Sequence, residues 1–262
     1  MARDVVICFF SAPPKSAPWY AIAQPLDLFA EPPLVVSWGP GAGWSTINQY
    51  RGTDGRLLPG LLKALGIAAD GVRRLGMISF SAGRQAAQRV LEHAEDRAQL
   101  DFVMDLDGLH ADLSSAGQQA NIKPWRLYAE SCFDASRLMV MCHTQIEPGT
   151  FTSTHKMNRL LFDAIAASAA GVSLRQQTWY QQELERLPPP PATITNQGVT
   201  RTWQTFPQLD GEVFGNAFRW GMPGNQGVDH VFAAGYLQGA MWRAFVVPRW
   251  TGASTTTFVN PE

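Results

Sequence analysis

Cysteine is scarce in this sequence, and its cysteines are not spaced for a metal site. The 262 residues include only 3 cysteines, Cys8, Cys132 and Cys142, and no two of them form a CxxC pair. The missing pair argues against a thiolate zinc site. Because the number is odd and each cysteine lies in or near an apolar segment, we expect buried free thiols and synthesis in a reducing compartment.

The chain also has almost no net charge. The chain has 21 basic and 22 acidic residues, which gives a net charge of −1 at pH 7, and its sequence pI is near 6.5. A protein with so little excess charge has no electrostatic reason to bind nucleic acid or an anionic membrane surface. We therefore expect neither partner.

Long apolar runs are missing too, since no stretch reaches the length of a membrane-spanning helix. Residues 5–10 are apolar, but the run is too short for the core of a signal peptide, and it follows Asp4. It predicts a buried strand instead. We expect no integral membrane segment and no signal peptide, hence cytoplasmic synthesis, and the sequence leaves the final location open.

Motifs for phosphate and metal binding are also lacking. The glycine-rich residues 39–43 do not extend into a GxGxxG or GxxxxGK[ST] pattern, so they do not predict a phosphate-binding loop. No HExxH or similarly tight spacing of metal ligands occurs. We therefore expect no metal.

Short apolar segments alternate with helical patterns, which predicts a single α/β domain over residues 1–262. Hydrophobic residues make up 45% of the chain, enough for a large core. Connections through helices favour a mostly parallel sheet with helices on both faces. The predicted strands are residues 5–10, 34–38, 77–80, 102–106, 137–142 and 216–220. The predicted helices include residues 57–65, one after each of the third and fifth strands, and one from Asp229 to about residue 245.

Residues 173–211 interrupt this alternation. They include Trp179, Tyr180, Trp203 and four consecutive prolines at 188–191. Scattered aromatics and polar turns predict a cap or lid inserted into the domain, with the prolines as an extended spacer. The aromatic residues suit a substrate with an apolar acyl or aryl part, although core packing explains them equally well.

Residues 79–83 have the sequence SFSAG and lie between an apolar strand and an amphipathic helix. Such a turn is tight, so the residues two places either side of its serine must be small, as Ser79 and Gly83 are; we expect these two to crowd each other. The context indicates a nucleophile elbow with Ser81 exposed at the strand's end. A serine that only caps a helix would give a similar pattern.

A serine hydroxyl needs a histidine to take its proton and a carboxylate to orient that histidine. His230 lies far downstream, where a loop after the last predicted strand meets a helix. With SFSAG and the stretch GVDH at 227–230, the chain resembles the α/β-hydrolase superfamily, in which the order is nucleophile, acid, histidine. Ser79 departs from the glycine usual at the first motif position. The resemblance implies an α/β-hydrolase fold and a serine hydrolase without a cofactor, of the esterase or lipase type.

Three carboxylates are candidates for the acid that orients His230. The superfamily usually places it after the strand that ends here at Cys142, which offers Glu147, whereas some lipases place it after the preceding strand, which offers Asp107. We favour Asp107, because it directly follows a strand and precedes a glycine turn, while Glu147 lies deeper in its loop. Asp105, within the strand, is the third choice. The alternative role for Asp107 is purely structural: an aspartate at this position can close its own turn through a hydrogen bond to the backbone.

The resemblance also implies an oxyanion hole made by two backbone N–H groups. Ala82, directly after Ser81, would supply one, and Ser11, after the first strand, would supply the other. His110 and His143 follow adjacent predicted strands at the same sheet edge as Ser81. We expect both to line the substrate pocket, and His143 to support the acid.

The sequence therefore predicts a hydrolase that cleaves small or lipid-like carboxylic esters through an acyl-enzyme on Ser81, with His230 as general base. One alternative is a hydrolase fold that binds a partner without turnover. A less favoured one is a metal-dependent hydrolase. Its ligands would come from Asp105, Asp107, His110, His143, Asp229 and His230.

Overall fold

A central sheet organises the molecule. The computed structural model describes residues 2–10, 26–38, 44–134, 136–168, 175–176, 193–196, 199–202, 210–214, 216–221, 224–232 and 238–252. Its strands are β1 Arg3–Phe10, β2 Leu34–Trp38, β3 Val72–Phe80, β4 Leu100–Leu106, β5 Leu138–His143, β6 Arg175–Gln176, β7 Thr193–Asn196, β8 Val199–Thr202, β9 Asp210–Phe214 and β10 Ala217–Gly221. The sheet has the order β2-β1-β3-β4-β5-β10-β9-β6, and β7 pairs with β8 in a separate hairpin.

Six adjacent strands, from β2 to β10, run parallel, and β9 and β6 add an antiparallel edge. All six predicted strands are present, and the α/β class is confirmed. Strand order reverses between β1 and β3, since the chain builds first toward β2 and then in the other direction. In open α/β sheets, ligands bind beyond the carboxyl ends of the strands near such a reversal.

Helices connect the parallel strands. They are α1 Leu58–Ala64, α2 Arg84–Glu92, α3 Ala94–Gln99, α4 Ser115–Glu130, α5 Thr154–Ser168, α6 Gly227–Phe232, α7 Gln238–Met241 and α8 Val247–Thr251, with a π-helical turn at Trp242–Val246 between α7 and α8. Short 3₁₀ helices cover Leu26–Leu28, Trp44–Tyr50, Ala69–Gly71 and Ser81–Gly83. Helical structure continues past the predicted end near residue 245 to Thr251, where Gly252 has a φ of 68° and ends the helix.

The two faces of the sheet have separate cores, because side chains alternate along each strand. In β1, Val5 and Ile7 join one core and Val6 and Cys8 the other. Apolar residues of α1, α2, α4 and α5 cover the first face. The second is covered by Phe29 and by the C-terminal helical segments, which contribute Trp242, Phe245 and Trp250 among others. Helices on both faces of the sheet are thus confirmed.

The predicted cap at residues 173–211 is described only in part. Strands β6 and β9 extend the central sheet at its edge rather than covering it. The β7–β8 hairpin approaches α6. Trp179, Tyr180, Trp203 and the four prolines lie outside the described residues.

The three cysteines are buried and free of disulfides, as predicted. Burial raises the pKa of each thiol, that of Cys132 to about 12. Among the described helices, none combines the length and the hydropathy required to cross a membrane.

Candidate functional site

The turn after β3 has the conformation of a strained elbow. Ser81 is the first residue beyond the strand and has a φ of 54°, which is unusual for a residue other than glycine. The chain continues through the 3₁₀ turn Ser81–Gly83 into α2, so the predicted strand, sharp turn and helix are present. Residues held in such rare conformations cluster at functional sites.

Gly83 is required by close packing against β1. A Cβ there would lie 1.9 Å from the carbonyl oxygen of Phe9. The three nearest atoms belong to the backbone of Phe9 and Phe10, so the close approach of β1 is what requires a glycine at position 83. Ser79 itself is fully buried, and its Oγ donates to Oδ1 of Asp105 at 2.5 Å.

Asp107 occupies the equivalent position after β4. It is the first residue beyond that strand and has a φ of 50°. Among the described residues, it and Ser81 are the only non-glycine residues with a positive φ. Its buried carboxylate accepts hydrogen bonds from the backbone N–H and hydroxyl of Thr144, both at 2.7 Å, and from the hydroxyl of Thr154.

The fourth hydrogen bond to the carboxylate of Asp107 comes from His230. Nδ1 of His230, in α6, lies 2.7 Å from Oδ2 of Asp107. An ionised carboxylate can only accept, so Nδ1 carries the proton, and in the neutral ring Nε2 is the acceptor. The imidazole packs against the ring of Phe80, with 4.5 Å between ring centroids. His230 is thereby fixed next to the residue that precedes Ser81.

Asp105 and Asp107 are both buried, yet their pKa values shift in opposite directions. Burial alone would raise the pKa of Asp107, but hydrogen bonds from His230, Thr154 and Thr144 and the charge of His230 outweigh it and lower the pKa to about 2. Burial raises the pKa of Asp105 to about 7, because hydrogen bonds from Ser79, Leu109 and Gly108 offset it only in part. The carboxylate that holds the histidine is therefore the one that stays ionised at neutral pH.

A cavity of about 310 Å³ opens at this edge of the sheet and brings four of the predicted site residues together, Ser81, Asp107, His110 and His230. The other described residues that line it are Ile146, Pro148, Phe151, Ser153, Thr154 and Gly227. The apolar part of the cavity wall consists of Ile146, Pro148 and Phe151, which all belong to the loop after β5.

His110, for which a place in the substrate pocket is predicted, lies in the wall of this cavity. Its ring is 4.7 Å from that of Phe151, measured between centroids. Burial, assisted by the charge of Arg84, lowers the pKa of His110 to about 4, so the ring is neutral at pH 7. A bridge between Ala111 and Thr152 joins the two loops that carry these rings.

His143 is not among the described residues that line the cavity, contrary to the prediction. It is the last residue of β5, and its ring lies over Gly221 of the adjacent β10. Nε2 lies 3.0 Å from Nη1 of Arg219 and accepts from it, since a guanidinium can only donate. Burial, followed by the charge of Arg219, lowers the pKa of His143 to about 3. Thr144, the next residue, is the one that supports Asp107.

The remaining predicted residues are Glu147, Ala82 and Ser11. Glu147, the alternative acid, has a side chain that is 54% exposed and forms an ion pair with Lys156 at 2.9 Å. Hydrogen bonding from Lys156 lowers its pKa. Ala82 follows Ser81 in the 3₁₀ turn, at the position predicted for an oxyanion donor. Ser11, the second predicted donor, lies outside the described residues.

Three contributors were missed by the sequence reasoning: Thr144, Thr154 and the pairing of Ser79 with Asp105. The sequence did contain one indication that Thr144 lies at the site. Thr144 directly follows β5, a parallel strand whose carboxyl end lies at the same sheet edge as those of β3 and β4. Within the described part of the chain, no group of three or more His, Cys, Asp or Glu side chains is arranged to hold a metal ion.

Comparison with known proteins provides no assignment. No protein-family model matches the chain, and neither a curated protein nor a solved structure matches it.

Proposed function

We propose that this protein is a serine hydrolase of the α/β-hydrolase type that cleaves carboxylic esters, with Ser81 as nucleophile, His230 as general base and Asp107 as the acid that orients it. The observation that carries the proposal is the 2.7 Å hydrogen bond between Asp107 and His230 in a cavity that Ser81 also lines. The three residues occur in the order serine, aspartate, histidine along the chain, as in that superfamily.

The proposed reaction has two stages. Oγ of Ser81 attacks the ester carbonyl while Nε2 of His230 takes its proton, and the N–H of Ala82 stabilises the negative oxygen of the tetrahedral intermediate. His230 then returns the proton to the departing alcohol, which leaves an acyl group on Ser81. Water, deprotonated by His230, releases the acid by the reverse sequence.

Asp107 has the environment that this role requires. Its four hydrogen bonds and low pKa keep it ionised, so it holds the proton on Nδ1 of His230 and stabilises the imidazolium that forms during the reaction. The alternative acid, Glu147, is paired with Lys156 at the surface instead. This contrast supports Asp107 as the third member of the triad.

The lining of the cavity favours an ester with an apolar part. Ile146, Pro148 and Phe151 provide an apolar wall, and the neutral ring of His110 stands beside Phe151. An acyl or aryl group would bury these surfaces at about 25 cal/mol per Å² of apolar area removed from water. The bond type, ester rather than amide or thioester, rests on the resemblance to esterases and lipases.

Hydrolysis of p-nitrophenyl esters, from acetate to palmitate, tests the proposal. Wild type should turn over at least one of them, and Ser81→Ala and His230→Ala should each reduce kcat by about 1,000-fold or more. A fluorophosphonate should label wild type at Ser81 and leave Ser81→Ala unlabelled. Ser168→Ala and His93→Ala, at positions outside the described cavity lining, serve as matched controls that should keep wild-type rates.

Two outcomes contradict the proposal. Wild type that neither hydrolyses any ester nor reacts with the fluorophosphonate would indicate a fold that binds without turnover. Activity that survives Ser81→Ala but is lost to a chelator would indicate metal-dependent hydrolysis.

A further inference from the structure

Asp105 and Ser79 form a buried pair that the proposed triad does not use. They are register partners in the neighbouring strands β4 and β3, and neither is exposed to solvent. Oδ1 of Asp105 accepts from the hydroxyl of Ser79 at 2.5 Å. Oδ2 accepts from the backbone N–H of Leu109 at 2.8 Å and from that of Gly108 at 3.2 Å. One carboxyl group therefore links the strand that ends at the nucleophile to the turn that follows the acid.

The turn of Asp107 is held from both sides. The N–H of Asp107 donates to the carbonyl oxygen of Cys142 in β5 at 2.8 Å. On the other side, Asp105 binds the next two N–H groups. These bonds maintain a backbone whose φ of 50° is unfavourable for aspartate. Without the carboxylate of Asp105, the N–H groups of Gly108 and Leu109 would lose their acceptor. The turn would then relax, and the carboxylate of Asp107 would move with it.

The same turn packs directly on the nucleophile. A Cβ placed on Gly108 would lie 2.9 Å from the carbonyl oxygen of Ser81 and 2.5 Å from Oδ1 of Asp105. The backbone of Gly108 thus approaches both the Ser81 turn and the carboxyl group of Asp105. A displacement of the Asp107 turn would therefore alter the position of His230 relative to Ser81.

We propose that Asp105 is a positioning residue, which fixes the Ser81 turn and the Asp107 turn relative to each other through Ser79 on one side and the N–H groups of Gly108 and Leu109 on the other. This role rests on the proposed function. It also accounts for Ser79, the residue that departs from the glycine usual in the motif, since a glycine there could not donate a side-chain hydrogen bond to Asp105. Catalytic geometry is sensitive to such positioning, because a shift of about 1 Å can reduce the rate on the order of 100-fold.

The test compares Asp105→Ala with Asp105→Asn and with a control carboxylate. Asparagine can keep both links, because its carbonyl accepts from Leu109 and its amide donates to the hydroxyl of Ser79. Asp96 is the matched control. It is equally buried, accepts from the N–H groups of Leu57 and Leu58 at 2.6 and 3.1 Å, and is not among the described residues that line the cavity.

The measured quantities are kcat and KM on the best p-nitrophenyl ester, with kcat expressed per fluorophosphonate-labelled site, and the midpoint of thermal unfolding. Asp105→Ala should reduce kcat about 10- to 100-fold with little change in KM, and Asp105→Asn should recover most of that loss. Asp96→Ala should lower the unfolding midpoint and leave kcat per labelled site unchanged. Ser79→Ala combined with Asp105→Ala should cost no more than Asp105→Ala alone, because the two residues share one link.

An unchanged kcat per labelled site in Asp105→Ala, with only a lower unfolding midpoint, would overturn the positioning role while the proposed function stands. If Asp105→Ala does not fold, Ser79→Ala decides: a loss of kcat supports the role, and a wild-type kcat overturns it. A wild-type protein that is inactive and unlabelled would instead contradict the proposed function, so the two failures are distinguishable.

Discussion

The loops after β4 and β5 begin at the same edge of the sheet, and each carries a carboxylate that the sequence offers as the acid. Asp107 directly follows β4, is 3% exposed and is bound by two threonines and His230. Glu147 lies four positions past the end of β5, and its side chain is 54% exposed and paired with Lys156. A carboxylate at the strand's end is held inside the edge of the sheet, whereas one farther along its loop reaches solvent.

The loop after β5 therefore contributes to the site in another way. Thr144, at its start, donates two hydrogen bonds to Asp107, and Phe151 forms part of the cavity wall. One loop supplies the charge, and the other supplies the donors that stabilise it and the apolar surface beside it. Substitutions on each loop test this division.

The largest difference should come from removing each carboxylate in turn. Asp107→Asn should reduce kcat about 1,000- to 10,000-fold, because an asparagine no longer holds His230 in the required tautomer. Glu147→Gln should leave kcat within about twofold of wild type, as expected for a surface ion pair. Steady-state rates on the same ester provide the measurement. A large loss in Glu147→Gln together with an active Asp107→Asn would reverse the assignment of the acid.

A smaller effect should follow from removing one donor to Asp107. Thr154→Val keeps the shape of the side chain and deletes the hydroxyl that binds the carboxylate. A hydrogen bond to a charged group contributes about 1.5–3 kcal/mol, which corresponds to roughly 10- to 160-fold in rate. We expect a loss of kcat near the lower end, about 10-fold, because Thr144 and His230 still bind the carboxylate. Thr150→Val, at an exposed position of the loop after β5, is the control and should have the wild-type kcat. Equal kcat values in the two variants would contradict the proposed support of Asp107.

The smallest effect, on stability rather than rate, concerns the opposite pKa shifts of Asp105 and Asp107. At Asp105 the folded state binds more protons than the unfolded state between pH 3.8 and about 7, because folding raises the pKa of this carboxyl group. Its contribution to the free energy of unfolding must then fall as pH rises through that window. Asp107 acts in reverse: its lowered pKa adds stability above about pH 4, which is lost as pH falls toward 2.

Urea unfolding from pH 3 to pH 8 measures this difference. Relative to wild type, Asp105→Asn should gain stability steadily from about pH 4 to pH 7, after which the difference should stay constant. Asp107→Asn should lack the part of the wild-type loss of stability below about pH 4 that protonation of Asp107 causes. Glu147→Gln is the control and should follow the wild-type curve closely across the pH 4–7 window. A difference between Asp105→Asn and wild type that does not vary with pH would contradict the raised pKa of Asp105.

The sequence was sufficient for the six parallel strands of the sheet, but not for its antiparallel edge strands β9 and β6, and only partly for the site. Buried parallel strands are short continuous apolar runs, so all six were recognisable, and Ser81 stood out because it ends one of them. Helix α4 was missed: it has many polar residues in its first half, and Pro124 lies within it. Its Ser114 cap, which accepts from the N–H of Gly117, was the available signal.

His143 illustrates what the pattern could not show. The predicted strand ended one residue earlier, which made His143 the first residue of a loop. In the structure it is the last residue of β5, and a strand residue must face one side of the sheet or the other. Thr154 was missed for a different reason: its bond to Asp107 joins residues 47 positions apart, and no local pattern marks such a pair.

The buried cysteines make the chain convenient for spectroscopy. All three thiols are inaccessible and have raised pKa values, so maleimide reagents should leave them unmodified at neutral pH. Leu113 is 64% exposed, four positions before Gly117 and three after His110. A cysteine introduced at that position would be the one reactive thiol, and a fluorophore attached to it would report ligand entry near His110 without any other cysteine being removed.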